Sequence, residues 1–147
     1  MNYPVSFIDT LMEYRLQNNL NLVQLAERLG ITEQCLSRWL LEKSVPSLDY
    51  LILVADYLHC SLDYLVGRSD NATYTPAKKQ CSFTERLNYL LKKNDLSSYK
   101  LAIKCGFSDS IFAKWKKGKT PKPETLFLLS EYFNVSLDYL VGRSDSV

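Results

Sequence analysis

The decapeptide SLDYLVGRSD occupies residues 61–70 and returns unchanged at residues 136–145, seventy-five positions later. Ten identical letters in a chain of 147 residues mean that one structural unit has been written twice, and this settles the organisation before any local motif is read. Each copy closes a unit of about seventy residues, the size of a small domain. A unit that small buries a modest share of its surface and depends on a compact core.

Punctuation within each unit points to helices. In the first copy, Ser6 is placed to cap a helix running to about residue 18, with Asp9 three positions on. A short helix over 22–29 ends at Gly30, and Thr32 opens a third. That third helix carries Cys35, Leu36 and Trp39 on one side and Glu33, Gln34, Ser37 and Arg38 outside or at the edge. A fourth follows over 47–58 and a fifth over 61–66. The second copy repeats the plan, with a clearer capping box at Ser82 and Glu85 and helices over 83–94, 98–105, 108–117, 122–133 and 136–141. The expected fold is all-α: two tandem five-helix domains, at 1–67 and 82–147. Between them, RSDNATYTPAKKQC (68–81) is polar, contains Pro76, lacks apolar periodicity and reads as a linker.

Composition narrows the function. With 46% hydrophobic and 23% charged residues the chain is globular in character. No stretch is apolar over eighteen residues and the first ten lack a secretion signal, so the expected setting is cytoplasmic, without a membrane. Cys35, Cys60, Cys81 and Cys105 form no CxxC pair and His59 is the one histidine, which argues for free thiols and against a metal or other cofactor. One histidine and no glycine-rich nucleophile turn also argue against a hydrolase, and the expectation is that the chain is not an enzyme. Charge is divided unevenly. Residues 1–70 hold five Lys and Arg against nine Asp and Glu, a net of −4, whereas residues 71–147 hold thirteen against seven, a net of +6. The basic half suits a polyanionic partner.

The segment LVQLAERLGITEQCLSRWLLEKSVPSLDYLILVADYLHCSLDYLVG resembles the Cro/repressor-type, or xenobiotic-response-element-like, helix-turn-helix domains, and so does LSSYKLAIKCGFSDSIFAKWKKGKTPKPETLFLLSEYFNVSLDYLVG. The resemblance rests on Leu25-Ala26 and Leu101-Ala102, the turn glycines Gly30 and Gly106, the hydroxyls Thr32 and Ser108, Trp39 and Trp115, and the closing SLDYLVG. It implies lambda-repressor-like domains that bind double-stranded DNA, with the third helix of each in the major groove. The base-reading positions it implies are Glu33, Gln34 and Arg38, with Ser37 beside them, and Asp109, Ser110 and Lys114. The phosphate-holding positions are Thr32 and Lys43 in the first copy, and Ser98, Ser108, Lys117 and Lys119 in the second.

The copies depart from the family pattern differently. The glutamine that commonly opens the second helix is Leu22 in one and Ser98 in the other. Leu40, Leu41 and Glu42 stand where the second copy has Lys116, Lys117 and Gly118. Trp39 and Trp115 are expected in the core, Tyr64 and Tyr139 at its edge, and Arg68 and Arg143 either on phosphate or against the end of their own helix. The leading reading is a transcriptional regulator, a repressor, reading neighbouring half-sites with tandem domains. The alternative makes the first domain a homodimerising or protein-binding module, or the whole chain a phage or mobile-element inhibitor on a repressor fold, with DNA held by the second domain or not at all.

Overall fold

Caps write the helix boundaries. In the computed structural model, which describes residues 3–108 and 110–147, the first of two units ends at Thr73 and the second begins at Tyr74. The first contains α1 (Tyr3–Gln17), α2 (Leu22–Leu29), α3 (Glu33–Leu40), α4 (Leu48–Leu58) and α5 (Leu62–Leu65). Asn21 and Gln24 form a reciprocal capping box at the start of α2, with bonds of 2.8 and 2.9 Å. Gly30 closes α2 at φ +75°, and Thr32 accepts the Cys35 N–H at 3.1 Å to open α3. Ser6 is not a cap, and Asp9 is not its partner, because α1 begins a turn earlier, at Tyr3. Pro4 suits a first turn, Tyr3, Phe7 and Leu11 bury one stripe, and the Tyr3 hydroxyl donates to the Pro46 carbonyl at 3.3 Å.

The second unit contains α6 (Phe83–Lys93), α7 (Ser98–Cys105), α8 (Ser110–Lys116), α9 (Pro123–Phe133) and α10 (Leu137–Leu140). The Ser82–Glu85 capping box is formed. Ser97, one residue before the helix, caps α7 by accepting the Lys100 N–H at 3.1 Å. Among the described residues no strand forms, and no helix is long and apolar enough to cross a membrane.

An indole pins each third helix to its core. Trp39 is 4% exposed and packs edge-on against Phe7 and Tyr50, both at 5.2 Å between centroids. Trp115 is 3% exposed and meets Phe83 and Phe112, both at 5.1 Å. Leu36 and Phe112, one turn earlier, bury beside them. Full burial of such side chains is worth about 1.5–3 kcal/mol each, enough to hold a helix of two turns that could not persist alone.

The repeated decapeptide folds into one clasp twice. Ser61 and Ser136 cap the closing helices, and the backbone then reverses through Gly67 and Gly142 so that the N–H groups of Arg68 and Arg143 donate to the carbonyls of Asp63 and Asp138, at 2.7 and 2.8 Å. The arginine side chains return to the same aspartates. Each arginine thus completes its own clasp at the end of its own closing helix. The surroundings differ. Side chains of Asp63 and Arg68 are each 17% exposed, against 3% and 6% for Asp138 and Arg143. In the second unit, Tyr74 accepts a hydrogen bond from Arg143 at 3.0 Å, Ala77 donates to the Arg143 carbonyl at 2.8 Å, Pro76 bridges to Ser144, and Arg86 lies 3.9 Å from the centre of the Tyr139 ring. Tyr139 is therefore buried and Tyr64 half-buried.

Two stability outcomes follow from backbone geometry. Glu42 holds φ +57° where the second unit places Gly118 at +95°. An L side chain costs about 1 kcal/mol there, so Glu42→Gly should stabilise the first unit by roughly 0.5–1 kcal/mol in a denaturant titration. A Cβ on Gly142 would fall on the backbone of Cys81, whereas one on Gly67 would meet only the side chain of Ser6. Gly142→Ala should accordingly cost at least about 1 kcal/mol more than Gly67→Ala in the same titration, because backbone yields less readily than a serine rotamer.

Candidate nucleic-acid interface

With Leu36 and Trp39 turned inward, the opposite face of α3 is left to solvent. Thr32, Glu33, Gln34 and Arg38 are exposed and Ser37 is half-buried. Arg38 is held at the base of a turn, its carbonyl accepting the Lys43 N–H at 2.9 Å, which brings exposed Lys43 back beside the helix. Glu33, Gln34, Ser37, Arg38, Leu41 and Lys43 thus line one shallow depression. Five of these six are positions singled out in the sequence. The sixth, Leu41, is 65% exposed, an apolar group with no core to enter.

The second unit builds the corresponding turn from lysines. The Lys114 carbonyl accepts the N–H groups of Lys117 and Lys119, at 3.2 and 3.1 Å, with Gly118 supplying the left-handed residue. Lys114, Lys116, Lys117 and Lys119 are all exposed, as is Lys122 where the chain enters α9. Ser108 and Ser110 are exposed at the start of α8, their hydroxyls 2.9 Å apart, with the Ser110 N–H donating to Ser108 at 3.4 Å. Ser98 is half-buried at the first position of α7. Asp109 lies outside the described residues.

The acidic and basic characters of the halves therefore reach the third helices themselves. The α3 surface mixes Glu33 with Arg38 and Lys43, whereas the exposed polar side chains of α8 and its following turn are hydroxyl or ammonium groups, with Ala113 apolar among them. Hydroxyls and N–H groups at a helix start, followed by cations, form a surface suited to phosphate oxygens.

Other polar groups support this frame. The hydroxyls of Tyr14 and Tyr57 are 2.6 Å apart and lie beside Arg28, whose pKa they raise, the Tyr14 hydrogen bond most strongly; Tyr14 is lowered chiefly by its bond to Tyr57. The hydroxyl of Tyr50 is raised by its hydrogen bond with Cys35 on α3, and burial raises the thiol of Cys105. All four cysteines are free, and among the described residues no three metal-ligating side chains converge.

Comparison with known proteins finds this architecture in sequence as well. A family model described as helix-turn-helix matches residues 11–65 and again residues 87–140, one match in each unit and together most of the chain. The uncharacterized HTH-type transcriptional regulator YobD of Bacillus subtilis (strain 168) is 29% identical over 97 residues, spanning 65% of this chain and 81% of that protein. No solved structure matches. With each match carrying an inward tryptophan and an outward polar face on its third helix, the chain belongs to the helix-turn-helix family, as two tandem copies of its domain.

Proposed function

We propose that this chain is a sequence-specific DNA-binding transcriptional regulator, acting as a repressor, in which the second unit supplies most of the phosphate binding. The observation that carries the reading is the lysine turn of Lys114, Lys117 and Lys119 beside the exposed hydroxyls of α8. A short helix pinned by its tryptophan can enter a groove about 12 Å wide, bringing its outward side chains to base edges while the turn meets the backbone. The Bacillus subtilis relative, named as a transcriptional regulator, supports the same assignment.

Base reading in the first unit falls to Gln34 and Arg38. Glutamine pairs well with adenine and arginine with guanine, so a purine-rich strand is the expected partner of α3. The second unit offers Ser110 and Lys114, with Asp109 proposed beside them from the sequence. Because the two sets differ at every position, one chain bound to both half-sites requires an operator that is not a palindrome.

A second reading has its own observation. Leu41 and Val45 are 65% and 59% exposed, and a cleft of about 330 Å³ lined by Val5, Ile8, Leu40, Val45, Asp9 and Glu42 opens in the first unit. This apolar surface with an acidic edge favours a protein partner or a second copy of the chain at the first unit, leaving DNA to the second.

One measurement tests what both readings share, and a second separates them. Lys114, Lys117 and Lys119 changed together to Glu should abolish retention of DNA; neutralising them instead to Gln should reduce the slope of log affinity against log salt by about three. Retention unchanged by the reversal removes the second unit as the phosphate binder. Gln34→Ala with Arg38→Ala should cost roughly 1–3 kcal/mol per lost base contact and change the sequence protected in a footprint; an unaltered footprint assigns the first unit to protein contact.

A further inference from the structure

The fourteen residues that join the repeated domains would, if free, reach up to about 50 Å and let each domain find its DNA independently. They are not free. The Ser61 N–H donates to the Ala72 carbonyl at 2.8 Å and the Ser61 hydroxyl to the Asn71 carbonyl at 3.1 Å, so the chain remains attached to the first unit as far as Ala72. Asn71 also accepts the N–H and the hydroxyl of Thr73, at 3.0 and 2.7 Å.

From Tyr74 onward the chain is held by the second unit. Tyr74 accepts from the Arg143 guanidinium at 3.0 Å and stacks on it at 4.4 Å. Ala77 donates to the Arg143 carbonyl, and the Lys78 N–H to the Asp145 carboxylate at 3.1 Å. The covalent tether between the last residue held on one side and the first held on the other is Thr73. Two Cα steps span at most about 7 Å, the rise of two base pairs.

We infer that the chain accepts paired half-sites only when they lie close together, because both ends of its connecting segment are anchored to the units they join and the free tether adds almost nothing to the reach of the units themselves. The inference rests on the reading of the chain as a tandem DNA reader. A wider separation requires peeling either Asn71 and Ala72 from Ser61 or Tyr74 to Lys78 from the closing segment. The easier release forfeits two hydrogen bonds, each worth roughly a factor of five in an equilibrium, together on the order of twenty-five-fold.

The test begins with selection of bound sequences from a random DNA pool by the full chain, followed by affinity measurements on the selected DNA with 5 or 10 base pairs inserted between its half-sites. The same DNAs are then bound by a chain carrying twelve added Gly and Ser residues between Thr73 and Tyr74, which leaves every anchor in place and adds up to about 40 Å of reach. The expected result is selection of two unlike half-sites within one narrow range of close separations. The natural chain should lose at least tenfold on both inserted DNAs, and the lengthened chain should recover most of that loss on the 10-base-pair insertion, which restores the same face of the duplex. Two half-sites recovered at many separations, or inserted DNAs bound unchanged by the natural chain, overturn the spacing inference and leave the tandem reading standing. So does a lengthened chain that loses as much as the natural one. Selection of a single half-site, or of none, overturns both.

Discussion

Everything outward in each unit depends on one aromatic contact facing inward. A third helix of seven or eight residues has too few internal hydrogen bonds to persist alone, and burial of Trp39 or Trp115 against Phe7 or Phe83 gives it a fixed place. Fixing one side of the helix decides the other. With the indole and its neighbour one turn earlier inside, Gln34 and Arg38, or Ser110 and Lys114, have only solvent to face. The same geometry would present any outward side chains equally well, which is how the two copies diverged without disturbing either core.

Electrostatics separates the copies where packing does not. Lys114, Lys117 and Lys119 share a turn closed by a glycine, while the corresponding turn in the first unit has Leu41 and Glu42, with Glu42 held in a left-handed conformation. A carboxylate and an exposed leucine at that place weaken an attraction for polyanions and favour apolar association. The first unit keeps polar side chains at Glu33, Gln34, Ser37 and Arg38 but has fewer cations on the turn that follows.

Much of this was legible in the residues. The repeat fixed the number of domains, hydroxyls marked the starts of α3 and α6 and glycines the ends of α2 and α7, and tryptophan at i+3 from Leu36 or Phe112 identified the inward face. Two features were not legible, for one reason. The start of α1 was misplaced because Ser6 has the chemistry of a cap, while burial of Tyr3 against Pro46 is a contact across more than forty residues that no local pattern displays. The anchoring of residues 71–78 was hidden likewise: a polar, proline-containing segment looks unstructured, and its partners, Ser61 and Arg143, lie in the closing helix regions on either side. The positions that the family resemblance names coincide with exposure for all of them that are described except Ser37 and Ser98, which are half-buried.

The two closing decapeptides are one sequence in two settings. In the first unit the clasp of Asp63 and Arg68 stands partly open to water, and in the second Tyr74 covers the corresponding Arg143 while Arg86 lies over the neighbouring Tyr139. The chain thus carries one ten-residue sequence in two environments, so any difference in reactivity, proton exchange or tolerance to substitution between Tyr64 and Tyr139 comes from what surrounds the clasp and not from the clasp itself.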